Sequence, residues 1–471
     1  MKLPHLVSVV TPLLFVAGCL TIYQAQDAQR SLAGKGVGEA SAFEKLDLSG
    51  YSLHELVDFA LTNRPSMLSA ALAVVDAHLA LKEVVADAPL VSYSPWLAPH
   101  LSLSGGYSAS SAADQALRWR TDGNASAGLS LSILVYDFGR NRARAEAQIE
   151  RVIASEYAFV QSGYEVFNDV ALSYFNLMEC DALFEVALTN ENECALRLKQ
   201  AEDRFAAGEA KRLDVTTAKL DLSQAHETRI SASNDVVIAG ARLMTALGLD
   251  VTRGNRDEVF PATGHALSQV VRGFRGTHYR TDTAFELART NAPTLAIARA
   301  RLRSASSDVD LAIADLMPSV SAEVSVNWAD PLWAWHWGVS AFQSLFEGFR
   351  KTTAVDRAVV ALQNAAAQVD EAEQTLSRDL EEAIAVRDNA KKQLETARVS
   401  VVNALENLNT AKAQYHEGDV SRVDLTIAIS KYASTLGSRV SAFYAWQKAE
   451  MYLFSLMGKI PEYDEEVLKE N

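Results

Sequence analysis

The chain is poor in the residues that mark most other functions. Among 471 residues there are 3 cysteines, 11 prolines and 23 glycines, and 59 Asp and Glu outweigh 44 Lys and Arg. Three cysteines are too few for a disulfide framework. Cys180 and Cys194 fall in one helical run, where about 21 Å of rise keeps them from bridging each other, and they read as buried apolar residues. A net charge of −15 excludes nucleic acid as a partner, because binding phosphates needs a basic face. Catalytic signatures are also missing. The nine histidines are scattered, with no His-Glu-x-x-His, no Cys-x-x-Cys and no Gly-x-Ser-x-Gly, so no enzyme activity, cofactor or metal centre is expected. Gly34-Lys35-Gly36 lacks the preceding strand and the following Ser or Thr of a phosphate loop, and reads as linker.

Long hydrophobic runs are equally scarce. Lys2 precedes one from Leu6 to Ala17, too short to span a bilayer as a lone helix and suited to a signal-peptide core. It ends in Val16-Ala17-Gly18-Cys19, which resembles the bacterial lipobox. In that motif the cysteine receives a diacylglyceryl group and becomes the new N-terminus, so Cys19 is the expected lipidation site and 1–18 the signal peptide. Leu20, where an aspartate would retain the protein elsewhere, implies delivery to the outer membrane. Residues 19–50 are polar and glycine-rich and read as a tether.

The rest of the chain is one unit written twice, over 51–249 and 283–458. Asn63-x-Pro65 answers Asn291-x-Pro293, and each proline opens a helix at its first turn. A proline-marked change of period follows, at Pro99 and Pro318. Apolar residues then alternate, first after each proline and again over 125–137 and 335–347, as in a β-hairpin. Tyr136-Asp137-Phe138-Gly139-Arg140 and Phe346-Glu347-Gly348-Phe349-Arg350 close the two hairpins. An acid, a glycine and an arginine suit a strand-to-helix exit. Lys351–Glu417 then runs 67 residues without glycine or proline, about 100 Å if unbroken. Arg140–Ala207 matches it, interrupted by Gly163. Leu394, Val401, Leu408 and Tyr415 recur at sevens, with Leu405 between, a stripe that calls for a partner helix. Each long helix ends in a short polar turn, where Phe205, Gly208 and Asp214 are answered by Tyr415, Gly418 and Asp424. Return helices stop at Gly248 and Gly458.

Lengths constrain how these parts assemble. Each long helix matches its return helix and pre-hairpin helix only if those two stack end to end. Four strands cannot close a barrel that hides its own edges. Strands from copies of the chain are needed, and three copies supply twelve, within the range of outer-membrane barrels.

The double repeat, the paired hairpins, the acid-Gly-Arg exits at Asp137, Gly139, Arg140 and Glu347, Gly348, Arg350, and the twin turns resemble the TolC-like outer-membrane efflux proteins, over about residues 50–460. The Cys19 motif points to the acylated branch. The resemblance implies a fold that is mainly α with a small β part: long coiled-coil helices forming an α-barrel, plus a trimeric twelve-strand outer-membrane β-barrel. It implies a homotrimeric channel-tunnel in outer-membrane lipid that passively conducts substrates from a periplasm-spanning assembly. The expected partners are a periplasmic adaptor (membrane-fusion protein) and an inner-membrane pump of the resistance-nodulation-division type. Tyr415, Gly418 and Asp424 match the family's inner turn, with a gate tyrosine and a selectivity aspartate, and Phe205, Gly208 and Asp214 are the outer counterparts. The family's further aspartate is Ile427 here, leaving one acidic ring. Asp424 can equally be read as a cap of the return helix.

Some features depart from the pattern. The first hairpin region is longer than the second. Trp328, Trp333, Trp335 and Trp337 cluster around Pro331, as an interface belt or a packed loop cap would. Residues 250–282 link the repeats without matching either, and 459–471 form an acidic tail. A periplasmic adaptor would need one helical hairpin within a lipoyl-like β-domain. A structural coiled-coil lipoprotein would leave the four alternating segments unexplained.

Overall fold

A computed structural model describes residues 53–86, 100–113, 119–249, 281–329, 332–344, 346–417 and 420–458. All of them belong to one compact unit, Tyr51–Val251 with Thr263–Asn471. The tether, most of the 250–282 link, the acidic tail, Cys19 and Gly418 lie outside the described residues.

The first repeat runs α1 (Leu53–Asn63), α2 (Pro65–Ala86), β1 (His100–Ala113), β2 (Trp119–Tyr136), α3 (Arg140–Ala206) and α4 (Arg212–Ala246). The second runs α5 (Thr281–Asn291), α6 (Pro293–Ala314), β3 (Ser319–Ala329), β4 (Leu332–Phe342), α7 (Arg350–Glu417) and α8 (Arg422–Leu456). Pro65 and Pro293 each begin a helix, where the missing N–H has no intrahelical acceptor to lose. Gly163 does not break α3, which is continuous over 67 residues. Its flanks are packed on several sides, and packing outweighs the roughly 1 kcal/mol helix penalty of one glycine.

The end-to-end stacking is visible at two glycines. Gly248 and Gly458 follow the return helices α4 and α8 with φ of 81° and 63°, a left-handed conformation that favours glycine. Each also abuts the break between the two short helices of its own repeat. A Cβ on Gly248 would lie 3.3 Å from the Asn63 carbonyl, and one on Gly458 only 2.7 Å from that of Asn291. The Tyr164 hydroxyl donates to the Gly458 carbonyl at 2.6 Å. Together α4 with α2, and α8 with α6, flank helices of about 100 Å.

Along α7, Leu394, Val401 and Leu408 are buried as the heptad stripe requires, but Leu405 is exposed and Ala404 takes the intermediate place. The spacing explains this: 401, 404 and 408 share one helix face, whereas 405 lies further round. Alanine there lets the partner helix approach closely.

The strands form one antiparallel sheet in the order β1-β2-β3-β4, so β2 pairs with β3 across the repeats. The first hairpin is the longer, with strands of 14 and 18 residues against 11 and 11. Two expected boundaries shift. β2 begins at Trp119, before the alternation starts, and β4 spans Leu332–Phe342 rather than 335–347. Pairing with a neighbouring strand carries each ladder beyond its own pattern: Trp328 faces Trp333 directly, with ring centroids 6.4 Å apart. Trp333 is therefore a strand residue like Trp335 and Trp337.

Register assigns the faces. Leu101–Leu131–Val324–Trp337 and Leu103–Leu129–Val326–Trp335 are neighbouring rows of one face. Ser102–Ser130–Ser325–His336 belongs to the other. Ser102 and Ser130 hydroxyls are 2.6 Å apart, and those of Ser321 and Ser340 are 3.1 Å apart. One face is apolar and the other is a ladder of small polar residues, as a barrel wall between lipid and water requires.

Candidate functional site: paired turns and strand exits

At the first turn α3 ends in Gly208, with φ of 78°, and Glu209 N–H donates back to the Arg204 carbonyl at 2.8 Å. Lys211 is extended and precedes α4. Its N–H donates to Asp214 Oδ2 at 3.0 Å. At the second turn the cap is reciprocal. Asp424 N–H donates to Ser421 Oγ at 3.3 Å, Ser421 N–H donates to Asp424 Oδ2 at 3.3 Å, and the Ser421 hydroxyl donates to the same oxygen at 2.7 Å. Ser421-Arg422-Val423-Asp424 is a capping box that the sequence carries openly. Asp424 thus holds the first turn of α8 while its side chain remains exposed.

The two turns are tied to each other. Arg204, in the last turn of α3, donates from Nη1 to the Tyr415 hydroxyl at 3.0 Å, and its Nε lies 3.8 Å from Glu209. Tyr415 is half-buried, whereas Phe205, its counterpart, is exposed and has no hydroxyl to accept a bond. Repeat matching does not single out Arg204, because its counterpart is Gln414. The available signal was the Phe-to-Tyr change between the turns, which implies a donor for the added hydroxyl.

The strand exits share a backbone and differ in their side chains. Phe138 and Gly139 have φ of 53° and 88°, and Gly348 and Phe349 have 61° and 63°. Each exit needs two successive left-handed residues and supplies one glycine, in opposite order. Asp137 is fully buried and accepts from Asn141 N–H at 2.8 Å and from Gly139 N–H at 3.2 Å, capping α3. Arg140 crosses to the second repeat, with Nε 2.6 Å from Asp315 and Nη2 3.4 Å from the Met317 carbonyl. Arg350 instead folds back on Glu347 of its own turn. Hydrogen bonding from Ser344, then from Arg350, lowers the Glu347 carboxyl from 4.5 to about 2.

Cys194 is buried and Cys180 half-buried, and burial pushes both thiols up. Among the described residues no group of three or more His, Cys, Asp or Glu side chains is placed to hold a metal, and no helix is long and apolar enough to cross a membrane.

A sheet with lipid-type and water-type faces, joined to paired 100 Å helices that end in linked turns, defines a channel-tunnel subunit. The sequence matches the family described as outer membrane efflux protein over residues 56–249 and 284–459. The chain belongs to that family, whose members are the outer-membrane channels of tripartite efflux systems. No curated protein matches it. Among solved structures it is similar to CusC, at 20% identity and TM-score 0.72, covering 89% of this chain and 96% of that one. It is also similar to VceC of Vibrio cholerae, at 16% identity and TM-score 0.71, covering 88% and 97%. CmeC of Campylobacter jejuni is similar at 17% identity and TM-score 0.73, covering 88% and 87%. At these identities the likeness concerns the fold, and it is the fold of TolC-like channels.

Proposed function

We propose that three copies of this chain form the conduit and that the linked turns are its periplasmic gate. Among the described residues β1 and β4 are the sheet edges, and pairing β4 of one copy with β1 of the next closes twelve strands with no free edge. An adaptor and an inner-membrane pump, of the resistance-nodulation-division type, engage the turn end. Cys19 carries the lipid anchor. Tyr415 and Asp424 act at the inner turn, Tyr415 as the latch and Asp424 as an acidic ring beside its capping role. Phe205, Gly208 and Asp214 belong to the outer turn.

The observation that supports the gate is the Arg204–Tyr415 bond, which ties the end of one repeat's long helix to that of the other. Separating the two tips requires breaking it. Single-channel recording of the reconstituted protein tests this. Tyr415→Phe, which removes only the acceptor hydroxyl, is expected to raise conductance or open probability, and Arg204→Gln to do the same. Asp424→Ala is expected to lower cation preference, as loss of a charged ring does, and Asp214→Ala to change it little. Unchanged conductance in both latch variants would mean that the bond joins helices without holding a gate.

A further inference from the structure

The strands carry few charges, and two of them stand in adjacent rows of the polar face. Apart from tyrosines, the ionisable residues of the four strands are His100, Arg120, Asp122, Glu323 and His336. Glu323 is the only one on β3 and His336 the only one on β4. Register puts Glu323 in the row His100–Ser132–Glu323–Gly338, next to the row Ser102–Ser130–Ser325–His336. Gly338, directly opposite Glu323, has no side chain, and His336 leans over it: a Cβ there would lie 3.7 Å from Nε2 of the imidazole. Both side chains are exposed. Around them the face is serine, asparagine, alanine and glycine, with Leu134 paired to Ser321 in the adjoining row.

We propose that Glu323 and His336 form an electrostatic filter on the lumen wall of the β-barrel, separate from the periplasmic turns. The carboxylate favours cations, and the imidazole cancels that preference when it is protonated. The inference rests on the channel reading. A charge on a pore wall backed by low-dielectric lipid acts strongly on passing ions. An imidazole is the side chain type whose charge changes between about pH 5 and 8, which makes pH the variable of the test. From β3 only Glu323 faces His336 with a charge. On β1, His100 stands in the Glu323 row, and β1 of the adjoining copy brings a second His100 along the far side of β4. On β2, Asp122 and Arg120 lie ten or more residues from the Ser132 row, at least about 33 Å along the strand.

The test is the reversal potential of full-length channels in planar bilayers under a KCl gradient, at about pH 7.5 and about pH 5.5, which bracket imidazole titration. The unaltered protein is expected to be cation-preferring at the higher pH and to lose severalfold of that preference at the lower. Glu323→Gln should reduce the preference at the higher pH and flatten its pH dependence, and Glu323→Asp should restore both. His336→Gln should keep the preference at the higher pH and abolish most of its fall, whereas His100→Gln should leave most of the fall in place. Asp424→Ala should lower the preference at both pH values and leave the fall intact. If Glu323→Gln leaves the reversal potential unchanged, or His336→Gln retains the whole fall, the filter does not exist, even if either variant alters thermal stability. An unaltered protein that forms trimers but does not conduct would instead overturn the channel reading, and the filter with it.

Discussion

Positions 150 and 151 of α3 and positions 360 and 361 of α7 are the same places in the two repeats, yet their chemistry is opposite. On α3, Glu150 accepts from Arg303 of α6 at 2.8 Å, and Arg151 holds Asp308 of α6 with bonds of 2.9 and 2.8 Å. These pairs lie in a seam between repeats, inside one chain. Their counterparts are Val360 and Ala361 on α7, and Val75 and Ala80 on α2. Val360 is 62% exposed and Leu72, on the same α2 stripe as Leu68, Val75 and Leu79, is 58% exposed. The equivalence of the repeats predicts that α7 of one copy meets α2 of the next as α3 meets α6. The internal seam is joined through the backbone, so ion pairs suffice to set its register, although exposed pairs are each worth only about 0–1 kcal/mol. A seam between separate copies must supply its own driving force, and burial of apolar area does so at about 25 cal/mol per Å².

The largest effect is expected from charging the apolar seam. Leu72→Asp or Val360→Asp should convert the detergent-solubilised trimer to smaller species by light scattering, because each buries an unpaired charge on assembly, at several kcal/mol. A trimer unaffected by either substitution would show that the two seams are not equivalent.

The helix junctions sharpen the comparison next. Gly458→Ala should cost more than Gly248→Ala. Both force alanine into a left-handed backbone, at about 1–3 kcal/mol. In addition, the new methyl at 458 approaches Asn291 O to 2.7 Å, whereas the closest atom at 248 is 3.1 Å away. Thermal unfolding of the two variants gives the order directly, and a larger loss at 248 would reverse the steric argument.

The turns come third. Ser421→Ala removes a side-chain cap and should cost about 1 kcal/mol. Lys211→Ala, at the matching place, leaves the backbone bond to Asp214 intact and should change stability little. The smallest effect belongs to the internal ion pairs. Arg151→Ala should stay within about 1 kcal/mol, since the Arg151 and Asp308 side chains are 51% and 35% exposed, and it should leave the trimer whole.

Much of this architecture was legible in the residues. Alternating residues gave the number of strands and their faces, since side chains of a strand point to opposite sides with a period of two. The absence of glycine and proline gave the long helices, and Gly248 and Gly458 gave their returns. Where the reading slipped, the cause was a neighbour. Leu405 yielded its seam place to Ala404, and β2 and β4 extended or shortened to suit the strand beside them. Gly163 interrupts the glycine-free stretch but not the helix, because α3 is packed against several other helices.

Other features depend on which distant segments lie side by side. The β2–β3 pairing across repeats, the reach of Arg140 to Asp315 and the placing of His336 over the glycine opposite Glu323 carry no local pattern. The Arg204–Tyr415 bond joins residues 211 positions apart, and nothing near either residue announces the other. Periodicity and turn chemistry act over one or two turns of chain, so they set elements, lengths and faces. Contacts between elements follow from how whole faces pack and how the chain closes on itself, which is why the bond between the turns and the strand pairing across repeats emerged from the packed structure alone.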